Sequence, residues 1–371
     1  MSCARHAISM QFNKEGYYSP VVDTERCIGC LVCEQRCPVL SPIATNKEPL
    51  NAYASWINED DTRARSSSGG AFSAIAITVL EAGGAVWGAG YSEDMTPAYK
   101  CVEHIEELDL IRGSKYVQCI TGESYKKIKE QLKDGRQVLF CGTPCHVAGL
   151  YSFLNGKLTE NLITVDFICH GVPSPKLFEN YIKWLEDKYN DKVLDFKFRE
   201  HRFGTNYNVG TSATFKEKGK KFLYLQNNSY TLGFCRDLTI HQTCYECKFK
   251  GVQRASDFTI GDFHGAKGEY SAKEQFKGIS CLIVNSTKGN EIIGQLNMQM
   301  KSVNLEKIIK ANPSYTMHSK KTSPLKMEDL VRMPYNEIQL RYFKPSLKDK
   351  IKTVSILLLG GRLTYIIKNI I

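Results

Sequence analysis

The sequence predicts an α/β fold with an antiparallel β addition, preceded by a small cysteine-bearing module. Three observations carry this. Between residues 66 and 190, apolar β-branched runs alternate with helical segments, the pattern of a sheet covered by helices on both faces. From about residue 193 the texture changes to short strands, two of them joined by a Gly-containing turn. Ahead of both, "CIGCLVCEQRCP" (Cys27 to Pro38) sits in a Pro-punctuated stretch, residues 1–45. So short a piece cannot bury enough surface alone and reads as metal-stapled.

Residues 46–65, "NKEPLNAYASWINEDDTRAR", read as a polar linker. "SSSGG" leads into the helix "AFSAIAITVLEAGG", closed by Gly83 and Gly84. "AVWGAGYS" is a strand, and "SYKKIKEQLKDG" an amphipathic helix ending at Gly135. "RQVLFCG" is a buried strand, followed by the helix "TPCHVAGLYSFL" with Thr143 as N-cap and Pro144 at its first position. "LITVDFIC" is a second buried strand, and "SPKLFENYIKWLEDKYN" a helix capped by Ser174. "VLDFKFRE", "NVGTSATFKEKG" and "KKFLYLQNN" form the antiparallel addition, then come the strand "GISCLIVNS" and a helix over Gly289 to Met300. The expected domains are 1–45, 46–140, 141–310 and a basic helical tail, 311–371.

The bulk numbers fit this plan. The chain has 371 residues, 42% hydrophobic and 24% charged, which excludes a disordered protein. A net charge of +10 favours acidic partners, but the basic residues are dispersed, which argues against nucleic acid. No secretory signal is visible, and the longest apolar run, "VSILLLGG", falls short of the roughly 20 residues a bilayer requires. The expected location is therefore cytoplasmic, where the 14 cysteines would be ligands, reactive thiols or core residues and not disulfides. Cys101, Cys119, Cys235 and Cys281 sit in apolar or mixed contexts and read as core cysteines. The Lys/Arg and Leu/Ile alternation of 346–371 suits a helix docked on the domain, with contact to a membrane surface or a partner as the alternative.

Cys27, Cys30, Cys33 and Cys37-Pro38 follow C-x2-C-x2-C-x3-C-P, the bacterial ferredoxin spacing for a 4Fe–4S cluster. Structural zinc sites instead use two separated C-x2-C pairs. In two-cluster ferredoxins the fourth cysteine of each run ligates the other cluster. "CARHAI" at the chain start fits the end of a missing first run, so Cys3 would complete the cluster of Cys27, Cys30 and Cys33. Cys37 would then face a second cluster whose remaining ligands lie upstream of Met1, as in a truncated chain or one with a late start codon. The simpler alternative is one self-contained cluster on Cys27, Cys30, Cys33 and Cys37. The ligand-swapping rule favours Cys3.

Three further constellations carry chemistry. "RSSSGGAFSAIA" is a Ser/Gly loop opening a helix, whose free N–H groups favour a phosphate. "FCGTPCHVAGL" and "DFICHGVPSP" each end a strand, and strand C-termini share one edge of an α/β sheet. With the C-x2-C pair of "CYECKFKG", Cys145, Cys169, Cys244 and Cys247 could converge on a second cluster, on zinc, or in a redox dithiol. His170, beside Cys169, is a candidate proton donor, or a histidine hydrogen-bonded in its loop.

In this order, "RSSSGG", "GSKYVQ", "GTPC", "DFICHGVPSP", "CYECKFKG" and "SDFTIGDFHG" resemble the coenzyme F-420 hydrogenase/dehydrogenase beta-subunit family over about residues 1 to 300. The resemblance implies a small ferredoxin-like iron–sulfur module followed by an α/β FAD-binding core. It implies FAD held by Ser66, Ser67, Ser68, Gly69 and Gly70 and by Gly113, Ser114, Lys115, Tyr116 and Gln118. It also implies an inner cluster on Cys145, Cys169, Cys244 and Cys247. Relatives reduce a deazaflavin coenzyme or chlorophyll derivatives, and some belong to surface-polysaccharide gene sets. The chain departs from the family at Cys141, where a small residue is usual, at His146, usually Gln, and at His264, often Trp. The function implied is an iron–sulfur flavoprotein oxidoreductase passing electrons between a ferredoxin or other redox subunit and a small-molecule two-electron acceptor. A non-catalytic electron-transfer adaptor and a zinc-stabilised interaction protein are the alternatives.

Overall fold

The computed structural model of the chain describes residues 3–42, 47–200, 210–266, 268–318 and 323–370, with 359–370 as backbone alone. Its frame is an eight-stranded sheet in the order β13-β3-β12-β11-β7-β6-β4-β5. These strands are β3 (Asn51–Ile57), β4 (Ala85–Tyr91), β5 (Pro97–Val102), β6 (Val138–Gly142), β7 (Leu162–Phe167), β11 (Phe258–Asp262), β12 (Ser280–Val284) and β13 (Met298–Ser302). Four adjacent strands, β11, β7, β6 and β4, run parallel, and the strands on either side of them pair antiparallel.

Alternate residues of the parallel strands face opposite layers, as the pleat requires. Val86, Leu139, Ile163 and Val165 pack under α3 (Ala71–Glu81) with its Ile75 and Val79. Trp87, Val138, Phe140 and Leu162 pack on the other face under α4 (Ser124–Lys133) and α5 (Pro144–Leu154). The predicted caps form: Thr143 accepts from the His146 N–H, and Ser174 from the Leu177 N–H at the start of α6 (Pro175–Tyr189). The antiparallel addition is a separate sheet of β8 (Val193–Lys197), β9 (Thr211–Phe215) and β10 (Gly219–Leu223). It shares an aromatic core with α6, α7 (Ser229–Cys235) and α12 (Tyr335–Arg341), built on Phe178, Tyr181, Phe196, Phe198, Tyr230 and Tyr335.

The expectations for two segments and for the core cysteines are corrected. Residues 46–65 are not a linker: β3 lies between β12 and β13, and Asp60–Arg65 is helical. Its strand is built from small residues, Ala52, Ala54 and Ser55, which are buried although they form no apolar run. The helix expected over 289–300 is a short helix, Thr287–Ile292, followed by β13, an edge strand whose one buried residue is Met298. Of the four core cysteines, Cys119 and Cys281 are buried, Cys101 is half-buried and Cys235 is exposed. The boundary expected at residue 140 falls inside β6, so both flanking parts build one sheet.

The N-terminal module is a hairpin of β1 (Ile8–Phe12) and β2 (Tyr18–Val22), followed by the cysteine loop. Several contacts fasten it. Tyr17 is buried in the aromatic core, and its hydroxyl donates to the carbonyls of Val172 (3.4 Å) and Thr239 (3.3 Å). Ser174 Oγ donates to the Gly16 carbonyl at 2.9 Å. A Cβ at Gly16 would stand 2.5 Å from Lys176 Cβ, and its φ of +72° also favours glycine. The chain's last helix, Leu347–Ile370, docks through Thr353 and Ile356. Among the described residues no helix is long and apolar enough to cross a membrane.

Candidate functional site

The C-terminal ends of β6, β7 and β11 open on one edge of the sheet, where ligands of open α/β sheets bind. A cavity of about 480 Å³ lies there. Its walls include Ser66, Ser67, Ser68 and Gly70 from the Ser/Gly loop, and Arg112 to Tyr116 from the "GSKYVQ" segment and the residue before it. Cys141, Cys169, His170, Asp262 and His264 close it from the strand ends.

The Ser/Gly loop is shaped for close approach. Gly70 has φ +90° and caps α3 without a side-chain acceptor, so the first-turn N–H groups of Ala71 and Phe72 are left for another partner at the cavity wall. A Cβ on Gly70 would meet Ile57 Cγ2 at 2.7 Å. Ser67 Oγ accepts from the Ser114 N–H at 2.8 Å and from its hydroxyl at 3.1 Å, which joins the Ser/Gly loop to the "GSKYVQ" segment. Ser66 is turned inward, donating to the Thr62 carbonyl at 2.8 Å, while Ser68 donates to the Ile279 carbonyl at 3.0 Å.

Two expected residues do not line the cavity. Gly69 is pressed onto the sheet: its N–H donates to Ser280 Oγ at 2.9 Å, and a Cβ there would be 2.4 Å from the Ser55 carbonyl oxygen. The Gln118 amide accepts from the Tyr18 N–H at 2.9 Å and donates to its carbonyl at 3.3 Å, so it holds the hairpin to the core.

Charged groups surround the cavity. Lys115 Nζ donates to the Arg112 carbonyl at 2.8 Å and lies 5.8 Å from the Tyr91 ring centre. Burial lowers its pKa to about 8. Arg199 and Asp262 form an enclosed ion pair at 2.5 Å. Burial works to raise the Asp262 pKa, but the Arg199 guanidinium outweighs it and brings it to about 2. Tyr116 stacks on Phe234, ring centres 4.7 Å apart. Arg199, Asp262 and Phe234 have no site role in the sequence reading, and Cys235 reads there as a core cysteine.

His170 engages both ring nitrogens, Nε2 with Asp237 and Nδ1 with Ser314 Oγ at 3.3 Å. It is the hydrogen-bonded histidine of the alternative, while still forming part of the wall. His146 faces away: its Nδ1 pairs with Tyr99 Oη at 2.8 Å, burial lowers its pKa to about 4, and it is not among the lining residues.

Cys145, Cys169, Cys244 and Cys247 come together. Burial raises the pKa of Cys169, and the charges of Cys145, Cys244 and Cys247 raise it further, so all four share one neighbourhood. Burial likewise pushes Cys145 to about 11, aided by Cys247 and Cys244. The approach depends on Gly171 (φ +154°), where a Cβ would sit 3.3 Å from Cys244 Cβ. A group of thiols that disfavour one another's ionisation suits a bound cationic centre, which inverts that balance.

The N-terminal cysteines have a different setting. Cys27, Cys30 and Cys33 are exposed, Cys37 and Cys3 half-buried. Gly29 (φ +65°) and Leu31 (φ +58°) are left-handed, a backbone alternation that turns amides inward in anion- and cluster-binding loops. Cys3 Sγ accepts from the Ala7 N–H at 3.3 Å. Among the described residues no three His, Cys, Asp or Glu side chains are gathered tightly enough for a single metal ion. A cubane cluster holds its sulfurs farther apart than one ion does.

Comparison with known proteins gives the lineage. Residues 20–41 match the 4Fe-4S binding domain. Residues 52–124 match the coenzyme F420 hydrogenase/dehydrogenase beta subunit N-term, and 135–310 its C terminus. No curated protein matches. Among solved structures, a chain of the F420-reducing [NiFe] hydrogenase complex from Methanosarcina barkeri, studied by xenon derivatization, is similar at TM-score 0.48 and 14% identity, covering 80% of this chain and 93% of that one. Matched along both parts of its sheet and carrying a 4Fe–4S binding motif ahead of them, the chain belongs to the coenzyme F420 hydrogenase/dehydrogenase beta-subunit family, as an iron–sulfur protein of the electron-transfer type.

Proposed function

We propose that the chain is an iron–sulfur flavoprotein oxidoreductase, with FAD in the cavity, one 4Fe–4S cluster on the N-terminal loop and a second on Cys145, Cys169, Cys244 and Cys247. One observation carries the proposal: Cys169 belongs both to the four-thiol group and to the cavity wall. An electron on the inner cluster would therefore stand beside whatever the cavity holds. FAD, when bound, supplies the exchange between one-electron and two-electron chemistry.

The chain's own residues have separable tasks. The N-terminus of α3 and the Ser67–Ser114 pair would receive phosphate. Lys115 supplies positive charge to the cavity, and Tyr116 with Phe234 an aromatic wall. His170, fixed by Asp237 and Ser314, would orient a polar group or hand on a proton. The donor would be a ferredoxin or another redox subunit and the acceptor a small molecule, in the cytoplasm, with surface-polysaccharide synthesis as the setting.

Purification without air, with iron, sulfide and flavin quantified together, tests this. The expected protein is brown and contains all three. A colourless protein with stoichiometric zinc would overturn it. If flavin is bound yet no acceptor turns over without an added subunit, the site serves an adaptor. Cys3→Ser is expected to lower iron content by one cluster, while Cys37→Ser leaves it unchanged; the reverse result returns the cluster to the single run.

A further inference from the structure

The last helix presents two opposed faces. Thr353 and Ile356 are buried against the body of the protein. On the far side Leu347, Ile351, Val354 and Leu358 are 74%, 59%, 48% and 79% exposed. Their spacing of four, three and four residues puts them within a stripe about 60° wide. Lys348 and Lys350, both exposed, flank the stripe on its two sides, and Lys344 precedes it. After Asp349 the chain has no acidic residue, while Lys350, Lys352, Arg362 and Lys368 follow.

Asp349 itself is turned to the body, where it pairs with Arg236 at 2.6 Å. Arg236 also donates to the Lys344 carbonyl at 2.9 Å. The outward face is thus apolar along its middle and purely cationic along its borders. A second copy of the helix would bring lysines against lysines, which opposes self-pairing. An anionic lipid surface satisfies both features at once: the stripe enters the acyl boundary and the lysines meet headgroups.

We propose that the helix Leu347–Ile370 is an interfacial anchor that lays this face of the protein on an anionic bilayer without crossing it. The anchor stands next to the cavity. Arg236, which grips its first turn, follows Cys235, a wall residue. Gly233 packs so closely on Phe343, just before the helix, that a Cβ would lie 2.9 Å from the ring. Docking would therefore bring the cavity to the lipid surface.

The test is flotation of the full chain, purified without air, with vesicles of phosphatidylglycerol and phosphatidylcholine or of phosphatidylcholine alone. The protein is expected to float with the anionic vesicles and at least tenfold less with the neutral ones. The double variant Ile351→Glu, Leu358→Glu and, separately, Lys348→Glu, Lys350→Glu should each abolish flotation while keeping wild-type iron content and melting temperature. Absence of flotation by the wild type, or equal flotation of the lysine variant, overturns the proposal. So does light scattering that finds a dimer dissolved by the Ile351→Glu, Leu358→Glu pair, which would assign the stripe to a second copy.

Discussion

The two four-cysteine groups of this chain differ in how they are built. Cys27, Cys30, Cys33 and Cys37 lie within one loop, mostly at the surface, on a hairpin held by a few contacts. Cys145, Cys169, Cys244 and Cys247 come from three separate segments meeting at the edge of the main sheet. The first carries in its own spacing the geometry of Cys27, Cys30 and Cys33, with Cys3 the proposed fourth ligand. The second borrows its geometry from the fold, so its loss should reach farther. The outer site suits exchange with a partner, and the inner one suits transfer to the cavity.

The largest expected effect sets the two against each other. Cys169→Ser should remove one cluster's iron and end electron delivery to the cavity, seen as flavin that a chemical reductant bleaches but a protein donor does not. Cys30→Ser should remove a similar amount of iron while leaving the melting temperature within a degree or two of the parent. Equal thermal losses in the two variants would break the contrast.

A smaller effect sharpens the role of the inner edge. Arg199→Leu leaves Asp262 enclosed without its ion-pair partner, and breaking a buried pair costs about 3–5 kcal/mol. Urea unfolding should show a loss of that order, and Arg199→Lys a smaller one. In the wild type, Asp262 adds stability that is present above its ordinary pKa of 3.8 and lost as pH falls through about 2.

The smallest effect is a pH dependence confined to the metal-free protein. The Cys145 pKa is raised from 9.0 to about 11, so the folded state keeps a proton that the unfolded state releases earlier. The stability from this thiol is full below pH 9 and declines as pH rises through 11. Thermal melts of apo and cluster-loaded protein should diverge across that window, since a ligated thiolate no longer titrates.

Much of the frame was legible because its signals are local. The runs of β6 and β7, and the caps at Thr143 and Ser174, are each written within a few residues. The outer cysteine run was legible for the same reason. β3 was not, because its buried residues Ala52, Ala54 and Ser55 are small and form no β-branched apolar run. β13, with alternating Met and polar residues at a sheet edge, fits a helix as well as a strand. Contacts such as Arg199 with Asp262, 63 residues apart, leave no mark in spacing at all.

Residues 113–118 touch both the cavity and the N-terminal hairpin. Ser114 meets the Ser/Gly loop, Lys115 and Tyr116 form the cavity wall, and Gln118 clips the hairpin at Tyr18. A ligand that steadies this segment from the cavity side also steadies the hairpin's anchorage, and linkage makes the effect reciprocal. Under the proposed cofactors, loading would then be coupled: a chain filled at one end would be better prepared to be filled at the other.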